Sequence, residues 1–178
     1  MPAPSPPTGA PVTLDAMLAA RDQRAAHQRD ALARFQLPVV SVTLVAPGPV
    51  KDTPRTRFAM EVAAADLDAL FRRQGWAVPF QEIRTAPTGP EALYAVAADA
   101  LALKRALAER EDTHPLGRLW DLDVICPQRG GLSRTALGLE PRRCLVCGEP
   151  GHACARARRH PLETLLGVIE ERIDAYRA

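Results

Sequence analysis

Two aspartates stand two residues apart in a short apolar stretch, Gly117-Arg-Leu-Trp-Asp-Leu-Asp-Val-Ile125. The stretch predicts a buried strand, and alternate side chains of a strand share a face, so Asp121 and Asp123 point the same way. Two like charges on one face are costly to bury without a cation or hydrogen-bond donors. Magnesium takes one or two carboxylates and completes its shell with water and substrate phosphates. The spacing therefore favours a magnesium site at Asp121 and Asp123; a solvated or arginine-paired strand end is the alternative.

Cysteines supply a second candidate metal site. Three of the four cysteines form Cys144-Leu-Val-Cys147 followed by Cys154, and His160 comes shortly afterwards. Three thiolates and one imidazole satisfy a tetrahedral zinc site, and Gly148-Glu-Pro-Gly151 provides the turn that such a site uses. The spacing indicates a zinc site at Cys144, Cys147, Cys154 and His160. Reduced thiols packed against the core are the alternative.

Arginine is abundant in the same part of the chain. Seven arginines and only two acidic residues lie between Arg129 and Arg159. A guanidinium forms paired hydrogen bonds with a phosphate, and a helix N-terminus also attracts anions. Arg156, Arg158 and Arg159 directly precede a predicted final helix and favour a phosphate site there; a solvated basic rim is the alternative. Aromatic residues make up only 4% of the chain, which argues against nucleic acid as a partner.

The composition predicts one folded domain. With 178 residues, 47% of them hydrophobic, the chain is long enough for a single substantial core. Residues 1–12 contain five prolines, so we expect a disordered lead there and a single domain over residues 13–178. No apolar run approaches the roughly 18 residues of a membrane span, and no secretory signal is evident. Cysteines clustered in this way favour free thiols or metal in the cytoplasm, which is the predicted location.

Helical and strand periodicities predict an α/β (α+β) domain with a mixed sheet and flanking helices. Thr13 and Asp99 are predicted N-caps, and Gly75 is a predicted C-cap. An apolar stripe that begins at Leu14 and Leu18 is expected to bury the first helix. The predicted helices cover residues 14–37, 54–74, 100–111 and 161–176, and the predicted strands cover residues 39–45, 80–85, 93–97 and 119–125.

One part of this scaffold has the layout of a nucleotidyltransferase. A strand (93–97), a helix (100–111) and a strand (119–125) follow one another, and the last carries two aspartates on one face. The Gly-Ser pair usual at the first strand-to-helix turn is absent, since Ala98 and Asp99 stand there. The sequence leaves open whether the two strands are adjacent or parallel. Lys51, in a stiff loop after an earlier strand, is a candidate to meet a phosphate; a solvated loop lysine is the alternative.

Longer motifs carry a resemblance to a known family. In chain order they are TLDAMLAARDQRA from Thr13, VSVTLVAPGPVK from Val40, GRLWDLDVI from Gly117, LSRTALGL from Leu132, PRRCLVCGEP from Pro141 and CARARRHPLETLL from Cys154. From Thr13 to Ala178 the chain resembles the citrate lyase holo-acyl-carrier-protein synthase family, also called apo-citrate lyase phosphoribosyl-dephospho-CoA transferase. One departure is Ala157, where a serine is usual in that family.

The resemblance implies a transferase. Such enzymes move the phosphoribosyl-dephospho-CoA group of 2'-(5''-triphosphoribosyl)-3'-dephospho-CoA onto a serine of the apo acyl carrier subunit of citrate lyase, releasing diphosphate. Asp121 and Asp123 would hold magnesium against the triphosphate, and one of them or His114 would serve as the base. Arg134 would stabilise the leaving group. The expected substrate-binding residues are Ser133, Arg118, Arg156, Arg158, Arg159, His160 and Lys51.

Two alternatives stand beside this reading. The first is a related nucleotidyltransferase that modifies another carrier protein, such as that of malonate decarboxylase. The second is a non-enzymatic zinc-knuckle module that binds RNA or an acidic protein. The two enzymatic readings differ in the carrier that becomes labelled, whereas the binding module would release no diphosphate.

Overall fold

A computed structural model describes residues 9–178 of the chain. Most of the predicted disordered lead therefore lies outside the described residues. Residues 9–12 belong to no helix or strand, and the amide of Val12 donates a hydrogen bond to the carbonyl oxygen of Pro49 at 2.9 Å. This contact places the start of the described chain beside the loop that follows the first strand.

Five helices and five strands make up the described chain, together with two short 3-10 helices, Gly117–Leu119 and Thr135–Leu137. In chain order the elements are α1 (Leu14–Phe35), β1 (Val39–Leu44), α2 (Pro54–Gln74), β2 (Ala77–Arg84), β3 (Glu91–Ala97), α3 (Ala100–Thr113), β4 (Trp120–Cys126), β5 (Gly130–Leu132), α4 (Gly151–Arg156) and α5 (Leu162–Arg177).

The predicted helix caps are confirmed. The Thr13 hydroxyl accepts a hydrogen bond from the Ala16 amide at 3.2 Å, and the Asp99 carboxylate accepts from the Ala102 amide at 2.9 Å. Gly75 ends α2 with φ at 67°, a left-handed conformation that glycine adopts without a Cβ penalty. These caps set where α1, α2 and α3 begin or end.

The α/β single-domain prediction is confirmed, and the sheet itself has the strand order β2-β3-β1-β4-β5. Every neighbouring pair is antiparallel, so the sheet is not mixed in its pairings. The two strands on either side of α3, β3 and β4, run parallel to each other, but β1 lies between them. The strand–helix–strand unit is therefore split by an intervening strand.

Helices α2 and α3 cover one face of the sheet and form the main core with it. Along β4 the burial alternates: Trp120, Leu122 and Val124 are buried in this core, while Asp121 and Asp123 point to the other face. The predicted shared orientation of the two aspartates is thus confirmed. The buried face of β4 fixes the position of the two aspartates, because Trp120 and Leu122 on that face are fully enclosed by the core.

Gly117 fixes how the chain passes from α3 into β4. A Cβ atom at this position would overlap the carbonyl oxygen of Arg110 and lie 2.8 Å from the carbonyl oxygen of Glu111. Both obstacles are backbone atoms at the end of α3, so they cannot rotate away. Only glycine allows this close approach, and the approach determines where β4 and its aspartates begin.

One expectation about the helices is wrong, and two short elements were not predicted. The apolar stripe of α1 does not extend to its first turns, since Leu14 and Leu18 are 73% and 46% exposed. The helix buries its C-terminal half instead, where Ala31 packs with Val39 and Leu93 on the second face of the sheet. Strand β5, which follows a turn at residues 127–129, and helix α4 in the cysteine–arginine segment were not predicted. Both are short, so their sequences carry little periodicity.

Candidate active site

Asp121 and Asp123 line a cavity of about 1180 Å³. One part of the cavity lining, which we call the β4 wall, is formed by Lys104 and Glu111 of α3, Arg118, Arg134 and the two aspartates. A second part, which we call the arginine–cysteine wall, comes from the segment 142–160. Leu162 and Leu165 at the start of α5 add an apolar surface. Carboxylates, guanidiniums and apolar groups therefore line one cavity, as in sites that bind small molecules and cofactors.

The two aspartates differ in their surroundings. Asp121 accepts a hydrogen bond from Arg142 Nη1 at 2.7 Å, whereas Asp123 forms no ion pair within residues 9–178. The Asp123 side chain lines the cavity and is exposed there. Partial desolvation by the surrounding protein raises the pKa of Asp123, and the nearby negative charge of Asp121 raises it further. Asp123 is therefore the carboxylate of the pair that has no direct ion-pair partner among the described residues.

Beyond the end of β5, side chains supply the hydrogen-bond partners of the free edge of β4. Strand β5 pairs only with Val124–Cys126, so within the described residues no strand covers the edge at Leu122. The Leu122 amide donates to Glu111 Oε1 at 2.9 Å, and its carbonyl oxygen accepts from Lys104 Nζ at 2.7 Å. Arg142 Nη2 donates to the carbonyl oxygen of Trp120. Three charged side chains thus replace a neighbouring strand and hold β4 in place.

Sequence reasoning missed Lys104 and Glu111 as parts of the site. The signal was present, because the two residues lie seven positions apart on the face of α3 that also buries Leu103 and Leu107. Charged residues on a buried helical face require partners. Arg142 was also missed, since its partner Asp121 is 21 residues away in the sequence.

Arg134 is held in the β4 wall and is only 9% exposed. Its Nη2 donates to Glu111 Oε2 at 2.6 Å and to the carbonyl oxygen of Ala108 at 3.1 Å. Its Nη1 donates to Asp112 Oδ2 at 2.9 Å. The guanidinium that was expected to stabilise the leaving group therefore neutralises Glu111, which in turn holds the Leu122 amide.

Arg118 contributes a guanidinium with an unsatisfied donor. Its Nη1 is buried and has no acceptor among the described residues. Burial lowers the pKa of Arg118, and the positive charge of Arg142 lowers it further. Buried donors are rarely left without a partner, so this arrangement suits an anionic acceptor supplied from outside the chain.

The remaining predicted site residues divide into two groups. Ser133, Arg158 and His160 line the cavity with the aspartates. Lys51 donates to the carbonyl oxygen of Ala46, and Arg156 and Arg159 are exposed; none of these three lines the cavity.

His114 lies away from the cavity lining. Its ring packs on Trp120 with ring centroids 4.3 Å apart, and its Nδ1 accepts a hydrogen bond from the Leu116 amide at 3.0 Å. Burial lowers the pKa of His114. The structure therefore places this residue in the packing behind β4 and not beside the aspartates.

The predicted zinc ligands come together in the arginine–cysteine wall. One ligand atom from each of Cys144, Cys147, Cys154 and His160 lies within 4.8 Å of all the others, and all four cysteines of the chain are free thiols. Cys147 Sγ lies 3.5 Å from Cys154 Sγ and 3.4 Å from His160 Nε2. These four residues, which we call the Cys/His cluster, can hold a metal ion.

Comparison with known proteins identifies the family. The model of the apo-citrate lyase phosphoribosyl-dephospho-CoA transferase family matches residues 12–176. A protein of that name from Escherichia coli O1:K1 / APEC is 43% identical over 159 residues, which cover 89% of this chain and 87% of the relative. The protein of the same name from Shigella boydii serotype 18 has the same identity and coverage.

The chain belongs to the apo-citrate lyase phosphoribosyl-dephospho-CoA transferase family. It is therefore an enzyme, a transferase, and the alternative of a non-enzymatic binding module is not supported. The match includes both walls of the cavity, so the aspartates and the Cys/His cluster both belong to the transferase domain. Within residues 9–178, no helix of this family member is long and apolar enough to cross a membrane.

Proposed function

We propose that this transferase moves the phosphoribosyl-dephospho-CoA group from 2'-(5''-triphosphoribosyl)-3'-dephospho-CoA to a serine of the apo acyl carrier subunit of citrate lyase, releasing diphosphate. The names of the relatives supply the acceptor enzyme and the transferred group. The observation that carries the proposal is the shared cavity, which Asp121 and Asp123 line together with Arg118 and Arg158. Carboxylates that take a divalent cation and guanidiniums that take phosphate are the groups that a triphosphate substrate requires.

The reaction exchanges one bond to phosphorus for another. The serine oxygen forms a bond to the phosphorus nearest the ribose, the bond from that phosphorus to the diphosphate breaks, and the serine hydroxyl loses its proton. Asp123 is the proposed proton acceptor, because Arg142 occupies Asp121 and His114 lies outside the cavity lining. Arg118 and Arg158 stabilise the negative charge that develops on the departing diphosphate.

Magnesium is the proposed ion at Asp121 and Asp123. The pair fits a hard cation, because both carboxylates line one cavity and Asp123 forms no direct ion pair within the described chain. Each carboxylate has two oxygens, so one can face an ion while the other faces Arg142 or the serine. When bound, magnesium would neutralise the triphosphate and orient it.

Other residues of the wall suit the remaining ligands. Zinc is the proposed ion for the Cys/His cluster, because three thiolates and one imidazole are its usual structural ligands. The exposed Arg156 and Arg159 provide positive charge for docking an acidic carrier protein. A cytoplasmic location is part of the proposal and agrees with the four free thiols.

Mass spectrometry of the carrier tests this function. The purified apo carrier subunit would be incubated with this protein, the triphosphoribosyl donor and magnesium, and we expect a mass gain of one phosphoribosyl-dephospho-CoA group. Asp123→Asn should lower the labelling rate about 10²-fold or more, since it removes a charge that acts on the reacting groups. Asp30→Asn is the matched control, because Asp30 is exposed on α1 and the chemical change is identical.

The choice of carrier separates the proposal from its alternative. The apo carrier subunit of malonate decarboxylase would be offered under the same conditions. Preferential labelling of that subunit would move the assignment to the other pathway. A competent donor and acceptor that give no labelled product with either carrier would remove the proposed function.

A further inference from the structure

The arginine–cysteine wall has little regular structure to hold it. It contains helix α4, which is six residues long, and one isolated bridge between Arg143 and Pro150. Leu145 packs against the main core, but Arg156, Arg158 and Arg159 are exposed. A wall with so few packed apolar groups requires another source of order if its arginines are to meet a ligand in one arrangement.

The Cys/His cluster has the geometry to provide that order. Tetrahedral zinc with ordinary bond lengths separates two sulfur ligands by about 3.8 Å, and a sulfur from a nitrogen by about 3.6 Å. The separations here are 3.5 Å between Cys147 Sγ and Cys154 Sγ and 3.4 Å between Cys147 Sγ and His160 Nε2. These two ligand pairs therefore already lie at nearly the spacing that one ion imposes, and all four ligand atoms lie within 4.8 Å of one another.

Backbone hydrogen bonds shape the loop that carries the first two cysteines. The Cys144 amide donates to the carbonyl oxygen of Glu149 at 2.8 Å, which closes the loop around Cys147. The Val146 amide points at Cys144 Sγ from 3.5 Å. An amide directed at a sulfur stabilises the thiolate form that binds metal.

The other two ligands enclose a strained turn. Arg158 has φ at 46°, one of two positive φ values at non-glycine residues of the described chain. The Arg159 amide donates to the carbonyl oxygen of Cys154 at 3.0 Å, and the reversal brings His160 back to Cys147. A left-handed arginine is costly and persists only where its surroundings enforce it. Arg158 also lines the cavity.

We propose that a zinc ion bound by Cys144, Cys147, Cys154 and His160 positions Arg158 in the cavity wall. The ion enforces the strained turn by holding Cys154 before it and His160 after it. Arg158 then lines the same cavity as Asp121 and Asp123. The metal site itself is independent of the reaction, whereas the anion that Arg158 meets, a triphosphate, rests on the proposed function.

Metal analysis of variants tests the site. The protein would be purified without added metal, and its zinc measured by inductively coupled plasma mass spectrometry. We expect about one zinc per chain in the natural protein and in His152→Ala, since His152 is exposed and lies outside the cluster. His160→Ala should retain well under half of that zinc. His160→Cys preserves a four-ligand set and should restore it. Cobalt substitution should give the visible bands of a tetrahedral thiolate site.

Steady-state kinetics tests the positioning of Arg158. Arg158→Ala should keep its zinc but raise the KM for the triphosphoribosyl donor about tenfold or more, the usual effect of losing a charge-assisted contact. His160→Ala should raise the same KM, and His160→Cys should reverse most of that rise. If zinc acts through Arg158, the double variant His160→Ala/Arg158→Ala should show far less than the product of the two single effects.

The outcomes separate this inference from the proposed function. Natural protein that labels the carrier without bound zinc, or a His160→Ala variant with unchanged zinc and KM, would overturn the inference and leave the function intact. Zinc-loaded protein that fails to label a competent carrier would overturn the function and leave the metal site standing. If His160→Ala does not fold, removal of zinc from the natural protein with a strong chelator decides, because an unchanged KM for the donor after zinc loss contradicts the positioning role and a raised KM supports it.

Discussion

The two walls of the cavity are built in different ways. In the β4 wall, Lys104, Glu111 and Arg134 are buried and satisfy one another and the edge of β4. In the arginine–cysteine wall, Arg156, Arg158 and Arg159 are exposed, and the four ligand atoms of the Cys/His cluster lie within 4.8 Å of one another. The first wall is ordered by packing and ion pairs, and the second has the ligands to be ordered by a metal. The protein therefore anchors its acids on a strand held by packed and paired side chains, and it carries Arg158, the proposed phosphate-binding arginine, on a segment whose order we assign to an ion.

Removing Glu111 should be the most damaging change to the β4 wall. Glu111 is 1% exposed, and its loss leaves the Arg134 guanidinium buried without its main partner and the Leu122 amide without an acceptor. We expect Glu111→Ala to lower the free energy of unfolding by about 3–5 kcal/mol. Denaturant unfolding would measure this, with Glu109→Ala, an exposed site on the same helix, as the control. Equal stability of the two variants would contradict the account.

A smaller loss is expected from Gly117→Ala. The added Cβ meets backbone oxygens of Arg110 and Glu111, so α3 and β4 must move apart. We expect a loss of about 2–3 kcal/mol in the free energy of unfolding, in the range of overpacked sites. Gly167→Ala is the control, since a Cβ there meets no atom within 4 Å and alanine favours the helix. A neutral Gly117→Ala would show that β4 does not start where the structure places it.

Lys104→Met should cost less again. The methionine keeps most of the buried volume, but the carbonyl oxygen of Leu122 loses its donor. We expect about 1–3 kcal/mol lower stability by denaturant unfolding, the cost of an unsatisfied buried acceptor. Arg105→Met, next in the sequence but exposed, should stay within about 0.5 kcal/mol of the natural protein. A larger loss of stability in Arg105→Met than in Lys104→Met would contradict the assignment of Lys104 as the buried donor to β4.

Metal removal should have the smallest effect on global stability and should act on one wall only. After chelation with a strong zinc chelator, protease cleavage within residues 142–160 should increase several-fold, because local opening of that segment becomes easier. Amide exchange of Val40 and Val124, in the sheet core, should change little. Loss of protection throughout the sheet would mean that the two walls are not ordered independently.

Local chemistry made much of the β4 wall predictable. The alternation of Trp120, Leu122 and Val124 with the two aspartates indicates one buried face, and the structure confirms it. Thr13 and Asp99 have the side chains that cap helices, and both do so. The spacing of Cys144, Cys147, Cys154 and His160 likewise indicated that these residues meet. Each of these signals lies within a short stretch of sequence.

The missed features depend on distant contacts. An arginine-paired strand end was the alternative for the two aspartates, but no local pattern identifies Arg142, which is 21 residues from Asp121, as the partner. The insertion of β1 between β3 and β4 is set by the whole sheet, so the strand–helix–strand pattern alone left the pairing open. Leu14 and Leu18 are exposed because only the later turns of α1 reach the sheet, although their helical spacing suggested burial.

Hydrogen–deuterium exchange with bound donor tests most directly whether both walls contact one ligand. The protein would be compared with and without the triphosphoribosyl donor in the presence of magnesium. The account predicts that protection from exchange rises together over residues 117–123 and residues 154–160. The exchange of α1, which packs on β1 and β3, should be unchanged. Protection confined to one wall, at a donor concentration that saturates transfer, would contradict the shared polyphosphate site.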